Sequence, residues 1–153
     1  MQQAPDQVGA IALQLYKADT FQRQGQIMGT NVKAWPKRQA QPKNRIGAAL
    51  LTKSGALRRD LKYTKSGRRV VLSSNMPYSK IQNDGGTVQI TSKMRKFFWA
   101  MYIKTKDEFW KGMALKKGSF TIKPRPFLYD TPELANRLDA HFIPVIKDIL
   151  KNS

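Results

Sequence analysis

The sequence predicts an α+β fold: N-terminal, central and C-terminal helices packed on a small, mainly antiparallel sheet. Three observations carry that expectation. Apolar residues recur at helical spacing in three separated stretches, and short β-branched runs bounded by Gly, Asn and Pro lie between them. A Pro-Arg-Pro element, Pro124-Arg125-Pro126, closes the last such run just before a helix start. With 153 residues the chain can bury a core of its own, and a single domain over 1–153 is expected.

The elements follow in order. Val8, Ile11, Ala12 and Leu15 stand at i, i+3, i+4 and i+7, one stripe of a helix for which Asp6 is a candidate cap; Gly25 and Gly29 mark where helical order fails. From about 26 to 45 the periodicity dissolves into Lys, Arg, Gln, Asn and Pro with Trp35 as the large anchor, which reads as a mobile basic loop. Leu50, Leu51, Leu57 and Leu61 seat the next segment on the core. Ser66-Gly67 then joins two arms of a hairpin, Leu61–Thr64 and Arg68–Ser74. Tyr78–Gln82 reads as a short helical turn closed by Asn83-Asp84-Gly85-Gly86, followed by a short strand at Thr87–Ile90.

Thr91 or Ser92 can cap a central helix with Met94, Phe97, Phe98 and Met101 as its stripe. After a basic connector, Ser119–Ile122 makes the strand that ends in the proline element. Both prolines hold φ near −65° and lack an N–H, so that segment is extended and does not lie mid-sheet. Phe127 and Leu128 supply its apolar plug. The last helix starts at Asp130 or Thr131, with Pro132 in its first turn, Leu134, Leu138, Phe142, Val145 and Ile149 as a buried stripe, and a kink expected at Pro144.

Charge is the outlier, at a formal +18. Between Lys33 and Arg69 twelve basic residues face the single carboxylate of Asp60; between Lys93 and Arg125 ten face Asp107 and Glu108. A positive field this concentrated implies an acidic partner, whether protein, nucleic acid or anionic surface. The candidates to meet it are Arg58, Arg59, Lys62, Lys65, Arg68 and Arg69 on the hairpin, and Lys93, Arg95 and Lys96 on the central helix. Trp99, Tyr102, Phe109 and Trp110, interleaved with lysines, suit base stacking, a protein interface or core packing. Held between two prolines, Arg125 is pre-organised for a bidentate carboxylate partner: Asp130 or Asp139 within the chain, or an acid across a subunit boundary.

Cysteine is absent and His141 is the one histidine, so neither a thiolate metal site nor a triad assembles in the usual way. Asp107 and Glu108 are adjacent and diverge on a helix, while Asp130 and Glu133 flank a helix N-terminus. No phosphate-binding glycine motif is present. The expectation is a protein with no catalytic residues, no metal and no cofactor. No run of 18 apolar residues spans a membrane, and the first six residues lack a signal-peptide layout, so a soluble intracellular product is expected.

Several local patterns together resemble the tailed-phage virion morphogenesis family of Mu-type tail completion proteins and, more distantly, the small head–tail connector or neck proteins. They are Phe21 to Gly25 with Trp35-Pro36; Leu51-Thr52 through Ser54-Gly55-Ala56-Leu57-Arg58; Tyr78 through Ile81-Gln82-Asn83 to Gly85-Gly86; and Ile122 through Pro124-Arg125-Pro126-Phe127-Leu128. They stand in the family's order between about 20 and 130. Where the family often has Ala after the Tyr and His near the position of Gln82, this chain has Ser79 and Gln82; the aromatic, basic stretch from Thr91 to Gly118 is a further departure.

The resemblance implies a structural phage or prophage protein, made in the host bacterial cytoplasm and ending in the virion. It would complete the tail or join it to the head, as one subunit of a homo-oligomeric ring, often sixfold, around the DNA path. Its partners would be its own copies and neighbouring tail or head-connector proteins, with non-specific contact to packaged DNA and no membrane. Trp35, Tyr78, Gly85, Gly86, Pro124, Arg125, Pro126 and Phe127 would then be structural or interface residues. The alternative from composition alone is a non-sequence-specific nucleic-acid-binding protein.

Overall fold

The computed structural model describes residues 4–151; the outermost residues of the domain expected over 1–153 lie outside it. The α+β class holds, with one change of architecture: the strands form three separate antiparallel pairs in place of one small sheet.

The chain opens on α1 (Ala4–Leu13), passes into a π-helical segment, Gln14–Asp19, and ends its first helical run in α2 (Thr20–Arg23). The π-helical widening has a visible consequence. Thr20 sends both its backbone N–H and its hydroxyl to the Leu15 carbonyl, the latter at 3.0 Å. It also turns Leu15, Tyr16 and Thr20 inward together, beyond what the α-helical spacing of Val8, Ile11, Ala12 and Leu15 foresees. Asp6 is no cap: the helix already starts at Ala4, and the carboxylate pairs with Lys65 at 2.7 Å.

Gln24, at φ +53°, reverses the chain into β1 (Gly25–Met28), which pairs with β2 (Asn31–Ala34). This hairpin occupies much of the first half of the stretch read as a loop at 26–45. Its strands are only four residues long, and in β2 all four are exposed, so no alternation of apolar residues announces it. Next come a 3₁₀ turn at Lys43–Arg45, α3 (Ala56–Asp60), and the expected hairpin of β3 (Lys62–Ser66) and β4 (Arg69–Ser73). Gly9 lets α1 lie against that hairpin: a Cβ there would sit 2.5 Å from the Tyr63 ring. Short α4 (Ser79–Asp84) and β5 (Gly86–Gln89) follow.

Thr91 caps α5 (Ser92–Thr105) as expected, accepting from the Met94 N–H at 3.2 Å. The stripe is only partly buried: Phe98 is covered and Phe97 is 54% exposed. The basic connector proves to hold a further helix, α6 (Glu108–Leu115), capped by Asp107. The two helices pack as a hairpin whose apolar centre is internal, with Trp110 against Phe97, Phe98 and Phe109 at ring distances of 5.0–6.1 Å. β6 (Ser119–Ile122) returns to pair with β5, so the helical hairpin is an excursion between two partner strands.

In α7 (Pro132–Lys151), Thr131 accepts from the Glu133 N–H and the helix continues through Pro144. Its first half meets α1 and β1. The stripe predicted to be buried is not buried throughout. Leu134, Leu138 and Phe142 are half-covered, but Val145 and Ile149 are 48% and 58% exposed, because the helix outruns the body it packs on.

Two buried clusters hold the chain. One gathers Phe21, Trp35, Leu57, Leu61 and Phe127. The other gathers Ala12, Leu15, Tyr16 and Ile27, with Tyr129 packed against it. In the second, Tyr16 donates to the Tyr129 carbonyl at 2.6 Å, the Tyr129 hydroxyl accepts from the Ile27 N–H at 2.7 Å, and Thr131 donates to the Ile27 carbonyl at 2.6 Å. Burial pushes the Tyr16 phenol up to about 12, the neighbouring Tyr129 and Asp130 adding to the shift.

Candidate functional site

Residues 124–128 have three backbone N–H groups, since two of the five residues are prolines. All three are taken by α4. Arg125 donates to the Gln82 carbonyl at 2.9 Å, and Phe127 and Leu128 both donate to the Asn83 side-chain oxygen at 2.9 Å. Trp35 donates from its indole to the Pro126 carbonyl at 2.7 Å. Gly85, at φ +75°, completes the fit, since a Cβ there would meet Pro124 Cδ at 2.8 Å. Trp35, α4, Gly85 and the proline segment, far apart in the chain, are therefore spatial neighbours, and what they assemble is a scaffold.

On this scaffold Arg125 is 9% exposed. The carboxylate pairing expected with Asp130 or Asp139 does not form: its side-chain hydrogen bond runs from Nε to the Pro36 carbonyl at 3.0 Å. The side chain thus reaches the loop after Trp35. Its two terminal nitrogens have no acceptor among the described residues.

Arg125 lines a groove of about 580 Å³, bounded by the loop after Trp35, α6 and β6. Lys37, Arg38, Arg45, Lys53, Lys116, Lys123 and Arg125 line it, with no carboxylate among the lining residues. Leu50, Leu51, Leu57, Phe109, Phe120 and Ile122 give it an apolar floor, and Tyr78 stands at the side, 41% exposed. Burial, with Arg38 close by, draws Arg125 below the usual arginine range; burial, with Arg45 close by, does the same to Arg38. Both remain cations, since a guanidinium does not lose its proton in a protein.

The walls are tied. Arg38 donates to the carbonyls of Ala48 and Ala49 at 2.6 and 3.0 Å. The Gln24 side chain bridges the Phe21 carbonyl and the backbone of Leu50. The Asp107 carboxylate, besides capping α6, accepts from the Lys43 N–H at 2.6 Å, fixing the helical hairpin to the loop. These backbone donors hold its pKa below the ordinary value of 3.8. The loop is thus cross-linked at several points, which its composition does not reveal.

The other predicted cations are placed differently. Arg58 donates to the Lys17 carbonyl at 2.8 Å, Arg95 to the Ala114 carbonyl at 3.1 Å, and Lys65 pairs with Asp6. Arg59 on α3, Lys62, Arg68 and Arg69 on the β3–β4 hairpin, and Lys93 and Lys96 on α5 are exposed. Sequence reasoning singles out Arg125 but misses Lys37, Arg38, Arg45, Lys53, Lys116 and Lys123 as its companions. The signal available is the bias of the loop toward cations, without a periodicity to say where they point.

Among the described residues, no group of three or more His, Cys, Asp or Glu side chains could hold a metal ion, and no helix is long and apolar enough to cross a membrane. No family model, curated protein or solved structure matches the chain.

Proposed function

We propose that the chain is a structural assembly protein of a tailed phage or prophage, acting in tail completion or head–tail joining as a ring subunit around the DNA path. The observation that supports this reading most is the position of the family-like residues. Trp35, Asn83, Gly85, Pro124, Pro126 and Phe127 lock one another, and they present Arg125 and a cationic groove at the surface. A display of fixed cations over an apolar floor suits docking to a neighbouring protein, where charge sets orientation and apolar contact gives affinity. Oxygen acceptors and backbone carbonyls hold the frame, and no acid–base pair stands in the groove.

Disrupting the gene in its parent genome tests the reading. The expected result is unjoined heads and tails, or tails of abnormal ending, in electron micrographs, with joining restored by the intact gene. Normal infectious particles would overturn it. Tight, strongly salt-dependent binding to duplex DNA at about 150 mM salt, together with normal particles, would instead favour the non-sequence-specific nucleic-acid reading.

A further inference from the structure

We infer that the groove is a receptor for an acidic peptide segment that places a carboxylate on Arg125 and an apolar side chain on the floor beside it. The assembly reading bears only on the source of that segment, a neighbouring virion protein; the chemistry of the groove stands without it.

Three features select this occupant. Arg125 is nine-tenths buried, it lines the groove, and its terminal nitrogens lack an acceptor among the described residues. A planar fork with two adjacent free donors matches a carboxylate in bidentate geometry. Arg38 stands close to Arg125 and Arg45 close to Arg38, all three lining the groove, so the cluster is self-repulsive until an anion enters. Finally, Leu50, Leu57, Phe109, Phe120 and Ile122 form a floor, three of its five residues aliphatic, that suits an aliphatic or aromatic side chain, for which a sugar–phosphate backbone has no counterpart. An acidic residue next to a leucine or phenylalanine satisfies both halves at once, as the buried anchors of protein interfaces do.

Because a chain of charge +18 binds any polyanion weakly, the test must separate the groove from the general field. The probe is a fluorescein-labelled hexapeptide of alternating glutamate and leucine, read by anisotropy. Its counterparts have glutamine for glutamate or serine for leucine, and a single-stranded oligothymidylate carries equal charge. The wild-type chain should bind the glutamate–leucine peptide at least roughly tenfold more tightly than any of the three.

The double variant Lys53→Ser/Lys116→Ser should weaken that binding several-fold, while the charge-matched Arg68→Ser/Arg69→Ser should leave it within about twofold. Arg125→Lys keeps the charge and loses the fork, and should cost roughly tenfold. The rim variants carry exposed side chains, so they decide the matter even if the buried position does not tolerate change. Equal loss in both double variants, or oligothymidylate binding as tightly as the peptide, would overturn the inference. Either result would leave the gene-disruption test of the assembly reading untouched.

Discussion

Along the β3–β4 hairpin the cations stand on solvent-facing strand positions, and Lys65 reaches its carboxylate partner on another element at 44% side-chain exposure. Around Arg125 the cations converge over an apolar floor, the three arginines Arg38, Arg45 and Arg125 are partly or fully buried, and carboxylates are missing from the lining. In sequence the two regions look alike, each a basic stretch with scattered apolar residues. The difference lies in support. The hairpin is an isolated two-stranded pair leaning on α1, whereas the groove is framed by the Phe127 cluster and by hydrogen bonds from four parts of the chain. Charge becomes a site where a rigid frame gathers it over an apolar floor with no carboxylate beside it; elsewhere it is a solvated surface.

The sharpest way to break that comparison is to remove the frame. Phe127→Ala should cost about 3–5 kcal/mol, since the ring is 1% exposed and packs on Phe21 at 5.9 Å. Denaturant unfolding measures it, and a loss below about 1 kcal/mol would mean the groove does not rest on this cluster. Asn83→Ala comes next. It strands the N–H groups of Phe127 and Leu128, and should lower stability by about 1–3 kcal/mol. Peptide binding at the groove should weaken with it, whereas a change confined to stability would show that α4 does not hold the proline segment in place.

The smallest effect separates the regions by pH. Asp107 pins the groove wall through backbone donors, and Asp60 pins the chain beyond β4 by accepting from Ser74 at 2.7 Å and from the N–H groups of Asn75 and Met76. Both pKa values lie below the ordinary 3.8, Asp107 chiefly through the Lys43 N–H and Asp60 chiefly through the Ser74 hydroxyl. A lowered folded-state pKa means the stabilisation is complete above the ordinary value and disappears as pH falls through the lower one. The melting temperature should therefore hold steady from pH 7 to about 5 and fall by several degrees below about 4. In Asp107→Asn part of that acid sensitivity should already be absent; an unchanged acid limb would detach Asp107 from the groove's stability.

Much of the fold is legible in short stretches of sequence, and particular residues show why. Thr91 followed by an apolar stripe specifies α5, and Ser66-Gly67 between β-branched runs specifies the β3–β4 turn, because both signals are local. The β1–β2 hairpin gives no such signal: Ile27 is its one buried apolar side chain, too little for a period to show. In α6 and just beyond its end, Lys111, Lys116 and Lys117 mask the apolar pattern of Phe109, Met113 and Ala114. The end of α7 departs from expectation for a different reason. A helical stripe says which residues could be covered, and says nothing about whether a partner element extends that far. At the site, rigidity around Arg125 is legible from two prolines, but its acceptor, the Pro36 carbonyl, lies 89 positions away and leaves no trace in local sequence.

That separation reaches beyond the groove. Tyr16 meets Tyr129 across 113 positions, Trp35 meets Pro126 across 91, and Arg137 meets Asp19 across 118 at 2.6 Å. While the chain is being synthesised, the first helical run and the first hairpin emerge from the ribosome long before the segment that covers them. Leu57 and Leu61 can close over Phe21 and Trp35 early, but neither cluster is complete until Phe127, Leu128 and Tyr129 have emerged, so the last fifth of the chain finishes what the first fifth begins.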